Sequence, residues 1–106
     1  MIIAATCFTL NMKHYTSKNF SDALGTSNSE WKWKSDALEA TYTFSDFKMA
    51  FAFMTQVAEV AERMQHHPDW QNSYNTVVIR LYTHDFSAVT DLDISLAKEI
   101  SALVQT

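Results

Sequence analysis

The strongest constraint on this chain is a change of hydrophobic period at Ser45-Asp46. Before it, Trp31-Lys32-Trp33-Lys34 alternates apolar and polar residues. The alternation resumes after Ser35-Asp36, with Leu38, Ala40, Tyr42 and Phe44 on one face and Glu39, Thr41 and Thr43 on the other. Period two on both sides of a short polar break predicts a β-hairpin with one buried face. After Asp46, the residues Phe47, Ala50, Phe51, Met54, Val57, Ala58, Ala61 and Met64 follow steps of three and four, the core stripe of an α-helix. Ser45 or Asp46 can cap that helix, and it must end near His67, because the residue before a proline is pushed out of the α region.

The flanking segments extend this pattern. A short helix is expected over Thr16–Gly25, capped by Thr16 or Ser17, with Phe20 and Leu24 inward and Gly25 at its end. Asp69–Asn75 reads as a turn and an extended lead-in. Thr76–Thr83 reads as a third strand with Val77, Ile79 and Leu81 on one face. Asp85–Ala88 is expected to be a loop. Thr90 can cap a last helix that turns Ile94, Ala97, Ile100, Ala102 and Leu103 inward and carries Asp91 and Asp93 in its first turn. No repeat or composition break divides the chain, so the expected organisation is an N-terminal arm over residues 1–15 and one domain over 16–106. Hairpins with few crossovers imply a mainly antiparallel sheet with helices packed on one face, an α+β fold.

Composition narrows the function classes. At 47% hydrophobic residues the chain can bury a core, so disorder is not expected. A net charge of -4 disfavours a protein that works by direct phosphate contacts with nucleic acid. The single cysteine, Cys7, can neither form an internal disulfide nor build a cysteine zinc site. One glycine leaves no phosphate-cradling loop, and no apolar run approaches the roughly 20 residues of a membrane helix. Met1–Leu10 lacks the basic start of a signal peptide, which makes the cytoplasm the expected location.

Chemistry concentrates around the only proline. His66 and His67 precede Pro68 directly, Glu62 lies one helical turn before His66, His84 falls at the end of the third strand, and Asp93 opens the last helix. If the helix reaches His66, Glu62 is placed to contact and orient its ring. Three readings compete. Imidazoles titrate near neutrality and suit general acid–base catalysis, for a typical gain of ~10²–10⁴ in rate. A metal site from three histidines and a carboxylate is conceivable but lacks the His-x3-His spacing that puts two ligands on one helix face. Three surface or capping histidines are the plain structural alternative. Nucleophilic catalysis has little support, since no serine sits in a G-x-S-x-G turn, and His14 is expected to be solvent-exposed.

The run Glu62-x3-His66-His67-Pro68-Asp69-Trp70-x-Asn72-x-Tyr74-Asn75-x-Val77, followed by Thr83-His84 and Asp93, resembles the pterin-4a-carbinolamine dehydratase family. So does the upstream segment Phe44-Ser45-Asp46-Phe47-x2-Ala50-Phe51-x-Phe53-Met54-x2-Val57-Ala58, and the likeness extends over about Trp31 to Val104. The resemblance implies an α+β fold with a four-stranded antiparallel sheet and helices on one face, the fourth strand lying near Trp70–Tyr74 or in the N-terminal arm. It implies dehydration of 4a-hydroxytetrahydropterin to quinonoid dihydropterin in tetrahydrobiopterin recycling, with no cofactor and no metal. It assigns acid/base roles to His66 and His84 and a binding role to His67, with Glu62 orienting His66 and Asp93 supporting the site. The pterin would be held by His66, His67 and Pro68 on one side, by Thr83, His84, Asp85 and Phe86 on the other, and by Trp31 as a stacking surface. A homo-dimer or homo-tetramer is expected, with no membrane partner. The alternative from another class is a non-catalytic interaction module of the transcriptional coactivator type, because some family members pair with a homeodomain factor through a helix surface. One departure stands out: Ala88 occupies a position where the family usually has glycine, and a positive φ there would strain an alanine by about 1 kcal/mol.

Overall fold

The structure, a computed structural model, describes residues 12–105. Most of the expected arm, with Cys7, lies outside the described residues. β1 (His14–Tyr15) is followed by α1 (Phe20–Leu24), a 3₁₀ turn at Thr26–Asn28, β2 (Lys32–Lys34), β3 (Ala37–Thr43) and α2 (Phe47–Met64). Then come β4 (Asp69–Ser73), β5 (Thr76–Leu81), a 3₁₀ turn at His84–Phe86, β6 (Val89–Thr90) and α3 (Asp91–Gln105). β2, β3, β5 and β4 form an antiparallel sheet in that order, and β1 pairs with β6 in a separate two-stranded ribbon. This is the α+β architecture expected, with Trp70 on the fourth strand.

The hairpin closes through Ser35 and Asp36, both at positive φ (51° and 60°). Two left-handed residues in a two-residue loop match the right-handed twist of the strands, and the short Ser and Asp side chains stand in for glycine. Leu38, Ala40 and Tyr42 of β3 and Val77, Ile79 and Leu81 of β5 are buried on the face that the helices cover. Fully burying a side chain such as Leu38 or Ile79 is worth about 1.5–3 kcal/mol. α1 begins later than the expected Thr16 or Ser17 cap: Thr16–Lys18 make a turn in which Asn19 Oδ1 accepts the Thr16 N–H at 2.8 Å. Phe20 and Leu24 still point inward, Phe20 against Trp33 with ring centroids 5.5 Å apart.

α2 starts at the expected cap, Asp46, whose carboxylate accepts the Met49 N–H at 2.8 Å. Its buried stripe is Ala50, Phe53, Val57, Val60 and Ala61. Phe47 and Phe51, expected inward, are 49% and 54% exposed, and Ala58 is also exposed. The helix is apolar on more than one face, and the sheet selects the face with Phe53, whose ring stacks between Tyr42 and Phe44 at 5.1 and 4.9 Å. In α3, Ile94, Ala97 and Ile100 are buried as expected, along with Leu96 and Ser101, whereas Ala102 is exposed. None of the described helices is long and apolar enough to cross a membrane.

Candidate active site

The site is built where α2 ends. Gln65 adopts a left-handed conformation (φ 54°, ψ 41°), its N–H donating to the Glu62 carbonyl and the His66 N–H to the Ala61 carbonyl at 3.0 Å. This Schellman-type close stops the helix before His66, so His66 does not share a face with Glu62. The expected Glu62–His66 contact is therefore replaced by two others. The chain reversal at Gln65 turns His66 inward, where its Nε2 lies 2.5 Å from Asp93 Oδ1. His67 stays outside, and its Nε2 meets Glu62 Oε1 at 2.8 Å.

Asp93 is fully buried and His66 is 8% exposed. The remaining Asp93 oxygen, Oδ2, accepts the Thr83 hydroxyl at 2.8 Å and the Thr90 N–H at 2.9 Å. The second of these bonds makes Thr90 and Asp93 a reciprocal cap: Asp93 reaches back to the Thr90 N–H, and Thr90 Oγ1 accepts the Leu92 N–H at 3.3 Å. The start of α3 thus holds a carboxylate beneath His66, and burial without loss of hydrogen bonds keeps that charge affordable to the fold.

The third histidine comes from the opposite direction. His84 opens the 3₁₀ turn after β5, stacks on Tyr82 with ring centroids 4.3 Å apart, and brings its Nε2 to 3.8 Å from Asp69 Oδ2 at the start of β4. The antiparallel pairing of β4 with β5 is what brings these two together, as Asp69 stands opposite Arg80. Gln65, His66, His67, Pro68, Asp69, His84 and Asp85 line one cleft of about 360 Å³. Each of its three histidines has its own carboxylate, and among the described residues no three His, Cys, Asp or Glu side chains converge as a metal ion would require.

Three expected binding residues sit elsewhere. Trp31 is 2% exposed and is a core residue: its indole N–H donates to Ser101 Oγ at 3.0 Å in mid-α3, so it offers no stacking surface to the cleft. Thr83 is buried, with its hydroxyl given to Asp93 and its backbone N–H and C=O paired with Ala88, which leaves no free polar atom for a ligand. Phe86 packs on the exposed ring of His14 at 5.0 Å. Ala88 is not at positive φ; the left-handed residue in this loop is its neighbour Ser87 (φ 48°), so the expected strain falls one position earlier. Asp69 was missed as a partner of His84 because only the β4–β5 pairing reveals it. Its position directly after Pro68 was the one available signal.

The sequence matches the family described as pterin 4 alpha carbinolamine dehydratase over residues 13–103. A Synechococcus sp. (strain WH7803) protein bearing the provisional name pterin-4-alpha-carbinolamine dehydratase is 52% identical over 73 residues, 69% of this chain and 78% of that protein. A protein of the same provisional name from Jannaschia sp. (strain CCS1) is 49% identical over 70 residues, 66% of this chain and 71% of the relative. The crystal structure of a transcriptional coactivator/pterin dehydratase from Brucella melitensis superposes with a TM-score of 0.78 at 36% identity, covering 86% of this chain and 98% of that one. The match over residues 13–103, the sequence identity to these relatives and the shared fold show that the chain belongs to the pterin-4-alpha-carbinolamine dehydratase family, a family of lyases.

Proposed function

We propose that the protein dehydrates 4a-hydroxytetrahydropterin to the quinonoid dihydropterin by histidine general acid–base catalysis, as a step of tetrahydrobiopterin recycling. The observation that carries this reading is the convergence of His66, His67 and His84 on one cleft, each beside a carboxylate. The reaction asks for two proton movements. An acid protonates the 4a-hydroxyl so that the C4a–O bond breaks with loss of water, and a base takes the N5 proton as the nitrogen lone pair forms the C4a=N5 bond. His66, inward and rigidly held, and His84, on the opposing turn, are the proton-transfer groups. His67, on the exposed rim with Glu62, binds the substrate with Pro68 and Asp85. The test is to generate the carbinolamine and follow its decay with and without the wild-type protein. Acceleration well above the spontaneous rate is expected, and no acceleration refutes the activity.

A second reading rests on a different observation. Phe47, Met49 and Phe51 expose about half of their surface on α2, with Phe47 and Phe51 in ring contact at 5.8 Å. Such an apolar face on a helix suits self-association or a protein partner, and the open sheet edges at β2 and β4 also favour a homo-oligomer in the cytoplasm. Sedimentation of wild type and Phe51→Glu distinguishes the roles. A larger species that the substitution dissociates while dehydration persists assigns the face to assembly alone.

A further inference from the structure

We infer that Thr83 and Thr90 are positioning residues which, through Asp93, hold His66 in one tautomer, so that its Nδ1 is the atom that exchanges a proton with the substrate. The inference rests on the dehydratase reading for its catalytic consequence. Its structural part stands on hydrogen-bond arithmetic.

A hydroxyl has one proton to give. Thr83 Oγ1 gives its proton to Asp93 Oδ2 at 2.8 Å, so in the 2.7 Å contact between Thr83 Oγ1 and Thr90 Oγ1 the donor must be Thr90. Thr90 Oγ1 in turn accepts the Leu92 N–H. Every proton in this buried chain therefore points toward Asp93: Leu92 N–H to Thr90, Thr90 to Thr83, Thr83 to the carboxylate. The Thr90 N–H adds a second donor to the same oxygen. With Oδ2 engaged from two directions, the carboxylate cannot rotate without leaving buried donors unmatched. Oδ1 is thereby aimed at His66, and a carboxylate oxygen 2.5 Å from Nε2 requires the proton on Nε2.

The other ring nitrogen has the complementary role. Nδ1 of His66 has no hydrogen-bond partner among the described residues, yet none of their buried polar side-chain atoms lacks one. Nδ1 therefore reaches the cleft that His66 lines. With the neutral ring fixed as the Nε2–H tautomer, Nδ1 carries the lone pair, and the protonated ring donates from the same atom.

Long-range ¹H–¹⁵N correlation of the full-length protein, with ¹⁵N-labelled histidine and the His66 signals identified by their loss in His66→Gln, reads the tautomer without any substrate. At a pH where the ring is neutral, the proton is expected on Nε2 and the lone pair on Nδ1. Protonation at Nδ1, or an even mixture, overturns the inference. Kinetics then test the relay: Thr90→Val is expected to lower kcat about tenfold, the cost of a modestly misplaced group, with KM within about twofold. Thr90→Ser, which keeps the hydroxyl, is expected to restore most of the loss. An unchanged kcat in a folded Thr90→Val, or a Ser variant no better than Val, overturns the relay, and if Val prevents folding, the Thr83→Ser and Thr83→Val pair is read in the same way. Should wild type show no dehydration, the functional reading fails while the tautomer result still decides the structural one.

Discussion

His66 and His67 are neighbours in sequence with opposite fates. The helical spacing of Glu62 and His66 was legible and pointed to the wrong pair, because one left-handed residue, Gln65, intervenes. Nothing in a glutamine announces a positive φ, so the exchange of partners could not be read beforehand, although Glu62, both histidines and Asp93 were all visible as candidate residues. The two pairs differ in worth. Glu62 and His67 are both mostly exposed, so Glu62→Gln is expected to change unfolding free energy by less than about 0.5 kcal/mol. Asp93→Ala strands buried donors on Thr83, Thr90 and His66 and is expected to cost about 3 kcal/mol or more. Urea titration of the two variants checks the contrast, and similar losses would contradict it.

At the scale of elements, what period and capping chemistry determine was legible: the β2–β3 hairpin, the Asp46 cap, the length of α2 and the Thr90 start of α3. In α2 the axis of the buried stripe was legible, since Ala50, Val57 and Ala61 are buried as expected, but its edge was not: Phe47, Phe51 and Phe53 are equally apolar, and contact with Tyr42 and Phe44 decides for Phe53. β4 was half visible, since Asp69–Ser73 alternates exposed and partly covered residues without the Val and Ile run that marks β5. The close of α2 supplies a prediction of its own. Gln65 sits at a left-handed C′ position where glycine carries no side-chain penalty, so Gln65→Gly is expected to stabilise the protein by about 1 kcal/mol. A lower melting temperature would contradict that geometry.

Across the whole molecule, two polar clasps join parts distant in sequence, and neither was foreseen. Glu30 accepts hydrogen bonds from Tyr42 at 2.9 Å and Ser101 at 2.5 Å, tying the lead-in to β2 to both the sheet and α3. Burial alone would raise the Glu30 carboxyl, but hydrogen bonds from Ser101, its own backbone and Tyr42 outweigh it and hold the group below 4.5. A depressed carboxylate contributes stability above its unfolded value that is lost as pH falls, so Glu30→Gln is expected to flatten the acid limb of the stability profile below about pH 4.5. At the other end, Tyr15 donates to Asp91 at 2.6 Å and the Lys13 N–H meets the same carboxylate at 3.1 Å, fastening β1 to the start of α3. The hydrogen bond to Asp91, then burial and the charge of Asp91, push the Tyr15 phenol up to about 12. Its contribution is complete below the ordinary value of 10 and lost as pH rises toward 12, so the stability gap between wild type and Tyr15→Phe is expected to close over that interval. A gap constant from pH 9 to 12 would contradict the clasp.

The chemistry assigned to the histidine cleft depends on two of its residues, His66 and His84. Stopped-flow decay of freshly generated 4a-carbinolamine, followed with wild type, His66→Ala and His84→Ala, tests that assignment most directly. The expected result is that each substitution lowers the catalysed rate by about 10²-fold or more, the usual contribution of a positioned acid or base. A correctly folded variant of either residue that retains the wild-type rate would contradict the assignment.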